Sequence, residues 1–299
     1  MLDLCETCPI NGGKTREIGR KESSSLSSKE ANWIIRNIMS VILTEEQKKS
    51  PLYKYYEMDI EPVEPELFAE VMAMSYKDRT DGTPIQEINR LFEAGYEPME
   101  RGLSTLPDGG VMFANLTDMP GVTPEMFDWW FAWHGLDPMR YIIWDKDDHY
   151  SVESFNREQN LDSNLTMKER YYGTKHLAKE ALLDGQEPVD VQLEFVNPVK
   201  VGFDPEKLKD FKGSILATPG PAVMVHFVRP TATGCELRTR FWMGYVPSEN
   251  GMVKVDGFPE IDMMGRSLLI HNIKEFRHLA KILPLVYEEF KDDFLVGIK

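Results

Sequence analysis

The sequence has 299 residues, of which 42% are apolar and 28% charged, a balance typical of globular proteins. Its net charge of −15 argues against nucleic acids and anionic membranes as partners, because an acidic chain is repelled by phosphates. No apolar run reaches the roughly 18 residues that span a bilayer, and the first residues lack the apolar segment of a signal peptide. We therefore expect a cytoplasmic protein.

Three cysteines are present: Cys5 and Cys8 form a CxxC motif, and Cys235 stands alone. A zinc ribbon needs a second such pair, and a thioredoxin-like motif needs a strand before it and a helix after it. The sequence provides neither. We interpret the motif as two ordinary cysteines in a tail, with a redox or metal-delivery role as the alternative. An odd number of cysteines fits a reducing compartment.

The N-terminal part of the chain divides into a tail and a small helical region. Residues 1–28 end in a serine-rich stretch with little to bury, which predicts a flexible tail. Residues 65–76 carry an amphipathic helical pattern, and a second helix is expected from the N-cap Thr83 to Gly95. Residues 29–110 are therefore predicted to form a small, mostly helical N-terminal domain.

A turn and a capped helix open the remaining part, residues 111–299. The segment Pro107–Gly110 predicts a turn with strands on both sides. Thr123 is the expected N-cap of a helix rich in tryptophan and phenylalanine, and Gly135 is expected to end it.

From about residue 187 the pattern changes to strands. The expected strands are Val189–Phe195, Val199–Phe203, Ser214–Ala217, Ala222–Val228 and Cys235–Gly244. One long helix follows, from Met263 to about Asp292, and Pro284 is expected to kink it. Antiparallel strands followed by a long helix predict an α+β fold in which a curved sheet grips the helix around a cavity.

Polar side chains on the long helix are the most informative residues. His271 and Glu275 lie one turn apart on one face and could share a divalent ion, with His278 further along. The alternative is a solvated surface pair. The apolar residues around His271 favour burial and therefore the metal interpretation.

Further histidines and glutamates supply additional candidate ligands. His134 ends the aromatic helix, where it could bind a metal or serve as a buried histidine hydrogen-bonded to the helix end. The segment after residue 167 has the pattern of an ordinary charged helix, in which Glu169, His176 and Glu180 are possible ligands. His149, in a loop among carboxylates, is a weaker candidate.

Candidate groups for acid–base chemistry lie on two of the predicted strands. His226 sits in an apolar strand and could move protons if its face lines a cavity, or could be an ordinary buried histidine. Arg238 and Arg240 share one face of the next strand, where they could bind phenolate oxygens or pair with acids. The motifs of serine hydrolases, P-loop proteins, dinucleotide-binding folds and zincins are missing.

One block of the sequence is distinctive. The run Met119–His134, with its core Trp129-Trp130-Phe131-Ala132-Trp133-His134, resembles the 2,4-diacetylphloroglucinol hydrolase family, which also contains phloretin hydrolase. The resemblance extends from about residue 40 onward. Its further matches are Arg140-Tyr141, Trp144, Asp148-His149, Glu169-Arg170, Gly173-Thr174, Arg238–Gly244 and His271–Glu275.

The resemblance implies a zinc ion held by two histidines and two glutamates. It also implies a helix-grip, START-like catalytic domain, a small N-terminal domain and a homodimer. Carried over to this chain, the ligands are His134, His271, Glu275 and, as the fourth, Glu169. Glu158 and Glu180 are the alternatives for the fourth position.

The resemblance further implies that His226 is the acid–base residue of the cavity and that Asp137 contacts the substrate. The implied reaction is a retro-Claisen hydrolysis of the bond between an acyl group and a phloroglucinol-type ring, as in phloretin or diacetylphloroglucinol. Two other interpretations stay open: a non-catalytic binding protein for aromatic molecules, and a different metal-dependent lyase on the same scaffold.

Overall fold

The computed structural model describes residues 40–182, 187–220, 222–249, 251–255, 257 and 261–298. The predicted tail and its CxxC motif lie outside these residues. Contacts group residues 39–299 into one compact unit. Within the described part, no helix combines the length and the apolar character needed to cross a bilayer.

Helices are distributed along the whole described chain. The α-helices cover Tyr53–Tyr56, Pro65–Ala73, Pro124–Trp133, Pro138–Ile142, Arg157–Leu161, Met167–Tyr171, Pro205–Asp210 and Asp262–Phe290. Short 3-10 helices cover Gln47–Lys49, Tyr76–Asp78, Ile85–Phe92, His134–Leu136 and Pro198–Val201. Below, Pro124–Trp133 is called the aromatic helix and Asp262–Phe290 the C-terminal helix.

The described strands form antiparallel sheets. The large sheet has the order β1-β2-β8-β7-β6, with β1 Gly102–Thr105, β2 Val111–Pro120, β6 Ser214–Thr218, β7 Ala222–Pro230 and β8 Gly234–Met243. The small sheet has the order β3-β4-β5, with β3 His149–Ser154, β4 Lys175–Glu180 and β5 Val189–Glu194. Strands β9 Tyr245–Ser248 and β10 Gly251–Lys254 form a separate hairpin. The predicted α+β class is confirmed.

The C-terminal helix packs against strand β2 of the large sheet. Phe113 of β2 belongs to one apolar cluster with Ile270 and Ile273 of the helix. A Cβ at Gly265 would lie 2.5 Å from the Phe113 ring, so only glycine permits the helix to approach this closely. This packing turns the helix face that carries the predicted metal ligands toward the protein interior.

Capping and turn signals explain most of the local structure. Thr123 accepts the N–H of Met126 as the predicted N-cap of the aromatic helix, and the turn before β2 closes a β1–β2 hairpin. Pro284 lies inside the C-terminal helix, which continues to Phe290. The domain boundary predicted at residue 110 falls between two paired strands.

Two predicted elements differ from the structure. The strand predicted at Val199–Phe203 is wrong, because Asn197 accepts the N–H of Val199 and begins the 3-10 helix Pro198–Val201. The helix predicted from Thr83 is the 3-10 helix Ile85–Phe92, and Thr83 donates its hydroxyl to Glu97 instead of capping it. Both 3-10 helices begin at a proline: Pro198 is the first residue of one, and Pro84 immediately precedes the other.

Candidate metal centre

The C-terminal helix presents His271 and Glu275 side by side on its buried face. The side chains are 6% and 10% exposed, and His271 Nε2 lies 3.8 Å from Glu275 Oε2. One helical turn separates the two residues, which is why their side chains meet. The predicted pairing of these residues on one buried face is confirmed.

The small sheet brings a second histidine and a second glutamate to the same place. His149 begins β3 and Glu180 ends β4, where the two residues are cross-strand partners. His149 Nε2 lies 3.4 Å from His271 Nε2, 3.6 Å from Glu275 Oε2 and 3.8 Å from Glu180 Oε2. We call His149, Glu180, His271 and Glu275 the His–Glu cluster.

Three members of the His–Glu cluster, His149, His271 and Glu275, bring ligand atoms within 4.8 Å of one another, as a mononuclear metal site requires. Ligand atoms about 2.0–2.1 Å from a tetrahedral ion lie about 3.3 Å from one another. The separations among these three are 3.4, 3.6 and 3.8 Å, and Glu180 lies 3.8 Å from His149, so its carboxylate would have to turn toward the other ligands to complete the coordination. Two imidazoles and two carboxylates suit zinc or a similar divalent ion.

Hydrogen bonds behind the cluster orient both imidazoles. His149 Nδ1 lies 3.2 Å from the carbonyl oxygen of Tyr141, and His271 Nδ1 lies 3.2 Å from Asp148 Oδ2. In each ring the Nδ1–H therefore donates outward, so that Nε2 faces the cluster and can coordinate an ion when it carries no proton. The Tyr141 hydroxyl donates to Glu180, and its ring stacks on His149 with centroids 3.9 Å apart.

A second acidic group lies on the far side of His271. Asp145, Asp148 and His271 bring potential ligand atoms within 4.8 Å of one another. The ammonium of Lys274 lies 2.5 Å from Asp148 Oδ2 and 3.5 Å from Asp145 Oδ2. A cation from the chain itself therefore already balances these carboxylates, which makes the His–Glu cluster the better metal candidate.

The electrostatics of the His–Glu cluster also favour a cation. Burial, together with the nearby Glu180 carboxylate, raises the pKa of Glu275 to about 8. Burial opposes a charge on His271, but the carboxylates of Glu275 and Asp148 outweigh it and raise the pKa of His271 to about 10. Burial lowers the pKa of His149 well below its ordinary value. Carboxylates gathered in a buried site are stabilised by a divalent ion.

Two of the predicted ligands lie outside the His–Glu cluster. His134 is buried at the end of the aromatic helix, and its Nδ1 lies 3.0 Å from the carbonyl oxygen of Trp130, as in the alternative of a buried helix-end histidine. Glu169 is exposed and accepts the N–H and the hydroxyl of Thr166 at 2.8 and 2.7 Å, forming a capping box. Glu158, one of the two alternatives, is also exposed.

The structure shows why Glu180 belongs to a strand. Residues 175–180 form a strand in which His176 and Ala178 are buried and Glu180 is nearly so, while Lys175 and Lys179 are exposed. This alternation in burial is that of a strand, and the charged helix predicted for this segment ends at Tyr171. No local signal marks His149, because its position depends on the pairing of β3 with β4.

The predicted acid–base residue faces the C-terminal helix. The His226 ring lies 4.7 Å, between centroids, from Phe276 of that helix, and its Nδ1 lies 2.9 Å from Thr239 Oγ1. Burial lowers the pKa of His226 to about 3. His226 is therefore a neutral imidazole at physiological pH.

The other predicted substrate contacts have structural partners. Asp137 caps the helix Pro138–Ile142 by accepting the N–H of Met139 at 2.8 Å. Arg238 and Arg240 lie on one face of β8, and Thr239 lies on the other. Both arginines donate to Glu100 at 2.5 Å. For the arginines, this is the predicted alternative of pairing with an acid.

Comparison with known proteins adds to this geometry. The family model described as the DAPG hydrolase PhiG domain matches residues 83–288. Phloretin hydrolase of Eubacterium ramulus is 34% identical over 266 residues, covering 86% of this chain and 96% of that protein. The 2,4-diacetylphloroglucinol hydrolase of Pseudomonas protegens is 30% identical over 227 residues, covering 69% and 73%. The solved structure of the KanY protein aligns with a TM-score of 0.32 and 11% identity, covering 58% of this chain and 96% of that chain.

These matches define the class of this protein, an enzyme that hydrolyses carbon–carbon bonds in ketonic substrates. The chain belongs to the DAPG hydrolase family. The resemblance that the Trp-rich block indicated is thereby confirmed.

Proposed function

We propose that this enzyme hydrolyses the bond between an acyl group and a phloroglucinol-type ring, with a zinc ion held by His149, Glu180, His271 and Glu275. The observation that carries the proposal is the convergence of the other three donors on His149 Nε2, at 3.4–3.8 Å. The substrate class is supported by relatives named phloretin hydrolase and 2,4-diacetylphloroglucinol hydrolase.

Such a reaction needs a polarised ketone and a place for a proton. When bound, the ion supplies a Lewis acid that can polarise the ketone oxygen or lower the pKa of a water molecule. In the overall reaction the oxygen of water bonds to the acyl carbon, and the bond from that carbon to the ring breaks. The electron pair passes to the ring, whose oxygens share the charge, and the ring carbon takes a proton. The products are a carboxylic acid and the deacylated ring.

His226 is the proposed carrier of that proton. As a neutral imidazole it can accept a proton and then deliver it to the ring carbon. Thr239 engages its Nδ1, so the transfer would use Nε2. The rings of Phe131 and Phe276, with centroids 6.4 and 4.7 Å from His226, offer flat walls for an aromatic substrate.

The arrangement of the C-terminal helix against an antiparallel sheet supports the helix-grip architecture as a further part of this proposal. Substrate contact by Asp137, the division at residue 110, the homodimer and the cytoplasmic location stay predictions from the sequence.

The first experiment is an activity assay with phloretin and with diacetylphloroglucinol, with and without a chelator, followed by chromatography of the products. We expect ring product and released acid, and loss of both with chelator. Cleavage that survives complete metal removal would contradict the metal centre. Failure of metal-loaded protein to cleave either compound, with binding retained, would instead favour a protein that only binds aromatic molecules.

A matched pair of variants tests the ligand assignment. Glu180→Gln should lose metal binding and activity, because it removes a proposed ligand charge. Glu169→Gln should keep both, because its side chain forms a capping box at the surface. Metal content and turnover, measured on both proteins, decide the assignment, and the opposite pattern would restore Glu169 as the ligand.

The role of His226 is tested separately. His226→Ala should slow the chemical step by about 10²–10⁴-fold while metal content is unchanged. Loss of the metal in this variant would show that His226 is a ligand and that the acid–base assignment is incorrect.

A further inference from the structure

A buried ion network lies behind His271, on the side away from the His–Glu cluster. Asp148 Oδ2 lies 3.2 Å from His271 Nδ1 and 2.5 Å from Lys274 Nζ. Lys274 also lies 3.5 Å from Asp145 Oδ2. All four residues are buried, and His271 and Lys274 are three residues apart on the C-terminal helix.

The same network is tied to the loop that carries His149. Asp148 immediately precedes His149 in the sequence. The backbone N–H groups of Asp148 and His149 both donate to the carbonyl oxygen of Asp145, at 3.2 and 2.7 Å. Two consecutive residues of one fixed turn therefore serve the site in different ways: His149 joins the cluster, and Asp148 contacts the ring of His271.

We propose that Asp148 is a positioning residue of the metal centre and that Lys274 holds Asp148 and offsets its charge. By accepting the Nδ1–H of His271, the Asp148 carboxylate fixes the tautomer and the orientation that direct Nε2 toward the cluster. The inference rests on the proposed function in one respect only, that the His–Glu cluster binds a divalent ion.

The two partners have opposite expected effects on metal affinity. Asp148→Asn removes a negative charge and the preferred acceptor of the His271 proton, so affinity should fall by about 10–100-fold. Lys274→Met keeps the apolar stem but removes the ammonium, which leaves the Asp145 and Asp148 carboxylates buried without their cation. A divalent ion nearby would relieve this unbalanced charge, so affinity should rise by at least about tenfold.

The test is a titration of metal-free protein with Zn²⁺ in competition with a chelating indicator, repeated with Co²⁺ to record its absorption spectrum. Asp128→Asn is the matched control, because Asp128 is another buried carboxylate, bound by the hydroxyls of Tyr171 and Ser214. We expect Asp128→Asn to match the wild type, Asp148→Asn to bind more weakly with a shifted Co²⁺ spectrum, and Lys274→Met to bind more tightly.

Each outcome bears on a specific claim. If the wild-type protein binds neither ion, the proposed metal centre is refuted, and this inference with it. If the wild type binds and Asp148→Asn binds equally well with an unchanged spectrum, the positioning role is refuted while the metal centre stands. If Lys274→Met also binds more weakly, the charge-balancing role is refuted. Should Asp148→Asn not fold, the double variant Asp148→Asn/Lys274→Met, in which the Lys274 ammonium is not left without Asp148, takes its place: we expect it to bind more weakly than Lys274→Met alone, and equal binding would refute the positioning role.

Discussion

The imidazole of His176 is held in a form that cannot accept a proton without disruption. Its Nε2 lies 3.0 Å from Thr174 Oγ1, whose own proton goes to the carbonyl oxygen of Tyr171, so Nε2 must donate. Among the described residues, Nδ1 has no hydrogen-bond partner. A Cβ at Gly135 would lie 2.4 Å from this atom, which leaves no room for an acceptor. Burial, and secondarily the His134 imidazole, lowers the pKa of His176 to about 3.

This pKa makes the folded state sensitive to acid. As the pH falls, His176 of the unfolded chain is protonated first, near the ordinary histidine pKa of about 6.5. The contribution of the neutral His176 to the free energy of unfolding is therefore present above pH 6.5 and is lost progressively toward pH 3. Each pH unit costs about 1.4 kcal/mol within this window. When the pH is lowered from 8 to 5, only the last ~1.5 pH units, below about 6.5, lie within this window. His176 should therefore account for about 2 kcal/mol of lost stability.

The assay is urea unfolding at pH 8 and pH 5, with a chelator present so that metal release does not contribute. His176→Gln is the comparison, because the amide can still donate to Thr174 but gains no proton over this range. We expect the loss of unfolding free energy between the two pH values to be about 2 kcal/mol smaller in the variant than in the wild type. An equal loss in both proteins would refute the assignment of a buried neutral imidazole.

Two further predictions concern packing near the site. Gly135→Ala should destabilise the fold by about 1–3 kcal/mol, because the added methyl would collide with the His176 ring. Urea unfolding measures this change. An unchanged free energy of unfolding would mean that the His176 ring moves away easily. Arg140→Met should cost about 2–4 kcal/mol in the same assay, because the buried guanidinium donates to the carbonyl oxygens of Trp133, Phe294 and Val296. An unchanged midpoint would show that these carbonyl groups find other donors.

Local periodicity explains which half of the site could be predicted. His271 and Glu275 are four residues apart on one helix, so their proximity follows from the helical repeat alone. Thr123 and the turn before β2 are likewise local signals, and both are confirmed. Predictions of this kind depend on a few neighbouring residues and no tertiary contact.

The other half of the site depends on pairing between distant segments. Glu180 reaches the cluster because the helix Met167–Tyr171 ends and the chain turns into β4 at Gly173, which has a φ of +84°. Without that turn, the charged pattern continues as a helix and Glu169 is as good a candidate as Glu180. His149 in turn requires the register of β3 against β4, which no repeat in the sequence specifies.

The separation of His149 from His271 has a consequence for how the protein folds. Their ring nitrogens are 3.4 Å apart, although the two residues are 122 positions apart along the chain. Closing so long a loop is entropically costly, so we expect the two rings to meet only after the large sheet and the C-terminal helix have formed. On this expectation, the centre forms late in folding and is not part of the folding nucleus. Ions present during refolding should leave the folding rate unchanged and slow only the unfolding rate, by linking two distant segments of the finished structure.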